Sequence, residues 1–119
     1  MKMLKAFVRT SRVDEVVRTL ENAGAPGITI SRVHGVGYGY EPLVFTLAPS
    51  AYHKTLEVSK IEVVCSESDC DRLIEAVTKA ARTGVQGDGI VFVTPVERAI
   101  KIRSGDEGLQ ALKESGGDT

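Results

Sequence analysis

The sequence predicts an α+β sandwich in which two helices cover one face of an antiparallel sheet. Three observations carry this. Two runs with helical spacing of apolar residues, near 13–20 and 73–81, are each flanked by short β-branched stretches. Glycine or proline closes each run, as at Gly24, Pro26 and Gly84. The 119 residues, 42% hydrophobic and 26% charged, are the size and composition of one globular domain rather than two or a disordered chain.

The elements follow in order. "MLKAFVR" (3–9) is short and apolar-rich and reads as a first strand. Ser11, three residues before Asp14, marks a helix start, and Val13, Val16, Val17 and Leu20 share one face. "ITISRV" (28–33) is β-branched and predicts a second strand, and "LEVSKIEVVC" (56–65) alternates and predicts a third. Ser66 with Asp69 opens a second helix, whose Leu73, Ile74, Val77 and Ala81 lie on one side. "IVFVTPV" and "RAIKIR" predict further strand, with Pro95 at a kink or edge. A short helix is expected around Leu109 to Lys113, within a polar C-terminal tail, 106–119. Two split β-α-β units in this order make a ferredoxin-like sandwich, a single domain spanning 1–119.

Composition excludes several classes. The net charge of −1 gives no electrostatic ground for nucleic acid or an anionic membrane as partner. No apolar run nears the roughly 18 residues of a membrane span, so direct membrane insertion is not expected. "MKMLKAFVRTS" is interrupted by Lys5 and Arg9 and lacks a cleavage site, so a cytoplasmic protein is expected. Cys65 and Cys70 do not form a disulfide framework and read as reduced, partly buried thiols.

The connection from Gly35 to about Thr55, "GVGYGYEPLVFTLAPSAYHKT", has no clear periodicity. A loop of this length in a compact domain is usually functional or mobile. Its apolar centre, "LVFTL", is compatible with an extra β-hairpin or with a protruding loop whose apolar residues a partner buries.

Neither His34 nor His53 sits in a nucleophile motif, and with Cys65 and Cys70 they lack metal-ligand spacing, so no catalytic or metal residues are assigned. The glycine clusters are stronger leads. "GVGYG" (35–39) follows a strand and "GVQGDG" (84–89) precedes one. Each is compatible with a plain turn. Glycine also lets successive N–H groups converge on an anion, although neither cluster is a dinucleotide fingerprint or a P-loop. Lys101 and Arg103, alternating with Ile102, would present two cations on one strand face and complete a phosphate clamp.

"AARTGVQGDGIVFVTPVERAIKIRSGDEG" (80–108) resembles the C-terminal signature of the PII nitrogen-regulatory signal proteins, and "MKMLKAFVRTSRVDEVVRTLENAGAPGITISRVHGVG" and "KIEVVC" fit the same family in register. The resemblance implies a signal-transduction homotrimer, not an enzyme, with ATP, ADP or AMP in clefts between subunits. It implies a T-loop, 37–55, that docks on a regulated transporter or enzyme. The phosphate-binding loop would be 84–89, with Gly87, Asp88 and Gly89 supplying backbone donors. Gly35, Val36 and Gly37 match the family's wall around the nucleotide. Thr29, Glu62 and Val64 of the neighbouring subunit match its adenine pocket, and Lys101 and Arg103 its basic pair.

The sequence departs from the pattern at informative places. Ala51 stands where the family has a modifiable tyrosine, which argues against uridylylation. Gly39 replaces a glutamine that holds Mg²⁺ and 2-oxoglutarate, and Val58 the lysine that pairs with the acid, so 2-oxoglutarate and Mg²⁺ are not assigned as effectors. Tyr38 replaces the arginine after G-x-G, and Ile90 the lysine after "GDG". The alternative is a metal-tolerance type trimer, binding a divalent metal through His34, His53 and the thiols.

Overall fold

The computed structural model describes residues 1–34 and 57–113. Among these, the chain runs β1 (Lys2–Arg9), α1 (Val13–Asn22), β2 (Thr29–His34), β3 (Glu57–Cys65), α2 (Glu67–Ala81) and β4 (Gly89–Pro95). The strands form one sheet in the order β2-β3-β1-β4, with every neighbouring pair antiparallel. This is the predicted α+β, ferredoxin-like arrangement. The whole of the expected T-loop, 37–55, with His53 in it, and residues 114–119 of the expected tail lie outside the described residues.

The core follows from period-2 alternation in the strands. Leu4, Ala6 and Val8 of β1 and Ile61, Val63 and Cys65 of β3 point to the helix side, each no more than 2% exposed. Val16 and Leu20 of α1 and Leu73 and Val77 of α2 meet them in one cluster. Each fully buried Leu, Ile or Val among them contributes about 1.5–3 kcal/mol on burial. The other face of the sheet carries Met3, Lys5, Phe7, Glu62, Val64 and Phe92, and there Phe7 and Phe92 pack edge to face at 6.1 Å.

The helices are fastened to each other at their ends. Ser66 caps α2 by accepting from the Asp69 amide at 3.3 Å. At the other end of α2, Arg12 donates to the Ala80 carbonyl through Nε at 3.0 Å and Nη2 at 2.6 Å. Arg72 does the same for α1, donating through Nε to Ala23 O at 2.9 Å.

Two sequence expectations fail. The Ser11 side chain does not cap α1: a 3₁₀ turn, Thr10–Arg12, precedes that helix, and Arg12 holds the cap position without a side-chain bond to the helix it caps. The second failure is "RAIKIR", which is not a strand. Ile100 makes a single bridge to Glu107, and the Lys101 amide donates to Asp106 O and its carbonyl accepts from Gly105, so the segment closes into a turn. Ile102 is 99% exposed and does not alternate inward between Lys101 and Arg103. The short helix expected around Leu109 to Lys113 is present, as a 3₁₀ helix over Gly108–Leu112.

Candidate functional site

Thr29, Glu62 and Val64 come together because of strand register. Thr29 lies opposite Glu62 across β2 and β3, and Lys5 lies opposite Glu62 across β1 and β3. Val64 is two residues further along β3, on the same face, opposite Met3. Met3, Thr29, Glu62 and Val64 floor a recess of about 390 Å³ whose wall is completed by Pro26 and by Ala111 and Leu112 of the C-terminal turn. The Glu62 carboxylate sits within 3.9 Å of Lys5 Nζ and 3.8 Å of Lys60 Nζ. The recess thus combines an apolar wall with a hydroxyl, a carboxylate and flanking ammonium groups.

Lys101 belongs to the same end of the molecule. Its ammonium group donates to the Lys113 carbonyl, next to Leu112 in the recess wall. Arg103 lies beyond it on the exposed turn.

The glycine loop is built on the other flank of β1. After α2 ends, the backbone turns through Gly84 (φ +89°), Gly87 (φ +98°) and Gly89 (φ +112°), conformations that side chains disfavour. The Asp88 side chain holds the loop together. Its Oδ2 accepts from the amides of Thr83 and Gly84, both at 2.8 Å, and its Oδ1 from the Thr83 hydroxyl and from Arg9 Nε at 3.4 Å. Burial raises the Asp88 carboxyl, but hydrogen bonds from Thr83, Gly84 and Arg9 outweigh it and hold its pKa at about 2, below the ordinary 3.8. Gly87 is buried in the loop, and Gly89 starts β4 opposite Val8.

The recess and the loop are separate half-sites. Glu62 opposes Lys5 while Gly89 opposes Val8, on opposite flanks of the same strand. At ~3.3 Å per residue along a strand and ~4.8 Å between strands, this puts them roughly 14 Å apart. Gly35, Val36 and Gly37 lie outside the described residues, as do Tyr38, Gly39 and Ala51. Val58 is 1% exposed, opposite Arg9 and Val33, and Ile90 opposes Phe7.

Sequence reasoning missed Arg9 and Thr83, which hold the loop, and Met3, Pro26 and Leu112, which shape the recess. For Thr83 the signal was present: a threonine five residues before an aspartate, in a glycine-rich turn. For Arg9, whose partners are 77 and 79 residues away, no local signal exists.

The metal-tolerance reading gains no support from these residues. His34 pairs with Glu57 at one end of β3 and Cys65 closes the other end, about 26 Å away at strand spacing. Cys65 and Cys70 are buried in the core, and the described residues hold no cluster of three or more metal-ligating side chains. No helix among the described residues is long and apolar enough to cross a membrane.

Comparison with known proteins agrees with this architecture. The family model for nitrogen regulatory protein P-II matches residues 1–106. A nitrogen regulatory protein P-II of Azospirillum brasilense is 38% identical over 112 residues, which are 94% of this chain and all of that protein. Those of Nostoc punctiforme and Synechocystis sp. are each 35% identical over the same shares. With a family match over nearly the whole chain and full-length relatives above 30% identity, this protein is a member of the nitrogen regulatory P-II family of signal-transduction proteins.

Proposed function

We propose that this chain is a non-enzymatic sensor of adenine nucleotides, which it binds in clefts between the subunits of a homotrimer, and that it controls a transporter or enzyme through residues 37–55. The observation that carries the reading is the division of the site. A recess with hydrogen-bonding groups, of a volume usual for ligand pockets, lies on one flank of β1, and an ordered glycine loop lies on the other. Two halves that do not converge within one subunit are completed when subunits meet edge to edge. The Glu62 carboxylate accepts from the adenine amino group, and Thr29 and Val64 supply a hydroxyl and an apolar contact. Gly87, Asp88 and Gly89 meet the phosphates through their backbone. Lys101 and Arg103 reach the same phosphates from the subunit that holds the adenine, and Gly35, Val36 and Gly37 form the wall between.

The effector is ADP, AMP or ATP, and the protein acts in the cytoplasm. Light scattering combined with calorimetry against the three nucleotides tests the reading. A trimer taking up three nucleotides is expected, and Arg103→Ala should weaken ADP binding by roughly 1.5–3 kcal/mol, the range for a hydrogen bond to a charged group. A monomer at working concentration, or a wild-type chain that binds no adenine nucleotide, would sink it.

A further inference from the structure

We propose that Arg9 is a positioning residue for the phosphate half of the site: its guanidinium fastens the glycine loop to the end of β1, and nucleotide affinity depends on that fastening. The inference rests on the nucleotide reading above. Arg9 is the last residue of β1, which is held on both sides by β3 and β4. From this fixed base its Nη2 donates to the Gln86 carbonyl at 2.6 Å and its Nε to Asp88 Oδ1 at 3.4 Å. The two contacts fall on either side of Gly87, so the loop is gripped at both shoulders of its buried glycine. The Asp88 carboxylate passes the grip on to Thr83 and Gly84, where the chain leaves α2.

Fixing a residue's backbone costs conformational entropy, and glycine loses the most. A loop with glycines at 84, 87 and 89 is therefore costly to order when a ligand arrives. The Arg9 clamp meets that cost during folding, so the phosphates encounter donors that are already arranged. Arginine suits the task because its planar fork reaches a carbonyl and a carboxylate at once, which a lysine ammonium on a single stem does less well.

The test compares wild type, Arg9→Gln and Arg9→Lys by calorimetry against ADP and against adenosine, which has no phosphate. Arg9→Gln is expected to weaken ADP binding about tenfold or more, equivalent to about 1.4 kcal/mol, and to leave adenosine within about twofold of wild type. Arg9→Lys should fall between the two for ADP and match wild type for adenosine. Undiminished ADP binding by Arg9→Gln overturns the proposal. So does a loss of ADP and adenosine by the same factor, which is what a merely structural role gives. If Arg9→Gln does not fold, Arg9→Lys decides, and wild-type ADP affinity in it overturns the proposal. A wild-type chain that binds neither ligand removes the nucleotide reading, and this inference with it.

Discussion

Gly89 lies flush against the backbone of Phe7: a Cβ built on Gly89 would stand 1.8 Å from the Phe7 carbonyl oxygen. The contact is made where β4 leaves the glycine loop and joins β1, so the loop's exit is fixed by steric fit as well as by the ladder. Gly89 also has φ +112°, which an L side chain adopts only with strain. Gly89→Ala should therefore cost about 2–5 kcal/mol, combining backbone strain with overpacking. Gly84 has φ +89° but open space around it, so Gly84→Ala should cost only about 1–2 kcal/mol. Urea unfolding of the two variants checks the difference, and equal losses would show that the approach to Phe7 is not limiting.

Asp88 gives the loop a pH signature. Its folded pKa of about 2 lies below the ordinary 3.8, so its stabilisation is full above pH ~4 and is lost as pH falls toward 2. Asp88→Asn removes the charge and should cost roughly 1–3 kcal/mol at pH 7, because the Thr83 and Gly84 amides lose a charged acceptor. The gap between wild type and variant should narrow between pH 4 and pH 2.5. A constant gap across that range would mean that the carboxylate's charge is not what the loop uses.

How much of this was legible in the sequence depended on the range of each interaction. Ser66 and Asp69 are neighbours on one helical turn, and the cap they predict is present. Gly24 and Gly84 act at single positions, and both have the positive φ expected of a stop. The pattern at 98–103 misled because alternation is necessary for a strand but not sufficient. Among the described residues Ile100 finds one bridge partner and Ile102 none, and the residues that follow close into a turn. At Ser11 the local signal was outweighed by a 3₁₀ turn that leads into α1, where Thr10 reaches the buried Ser59. The Thr29, Glu62 and Val64 set was named from family resemblance, and only the register of three strands explains why they meet. The Arg9 contacts span 77 and 79 residues and needed the fold.

The thiols should be inert in the folded protein. Cys65 is fully buried, and burial first, then the neighbouring Cys70 and Asp69, push its pKa from 9.0 up to about 11. Cys70 is 7% exposed at the start of α2. At pH 8 an aromatic disulfide reagent should titrate both thiols quickly in urea but react with the native protein at least about a hundredfold more slowly. Rapid native labelling of both would show that β3 and α2 separate readily at that end.

In the family pattern that the sequence resembles, a lysine at the position of Val58 neutralises 2-oxoglutarate and a glutamine at the position of Gly39 helps to hold Mg²⁺. Val58 is 1% exposed within β3, between Arg9 and Val33, and carries no group that could pair with a carboxylate. Arg9, its cross-strand neighbour, is already bonded to Gln86 and Asp88, and turning it toward a dianion would release the glycine loop. Bringing 2-oxoglutarate there would carry a desolvation cost of several kcal/mol with little to offset it. Titration of ATP with Mg²⁺ should therefore give the same dissociation constant with and without millimolar 2-oxoglutarate, and ADP or AMP should be preferred over ATP, since Ile90 adds no charge at the phosphate end. Tightening of ATP tenfold or more by the acid would mean that another cation reaches the site in place of a lysine at Val58.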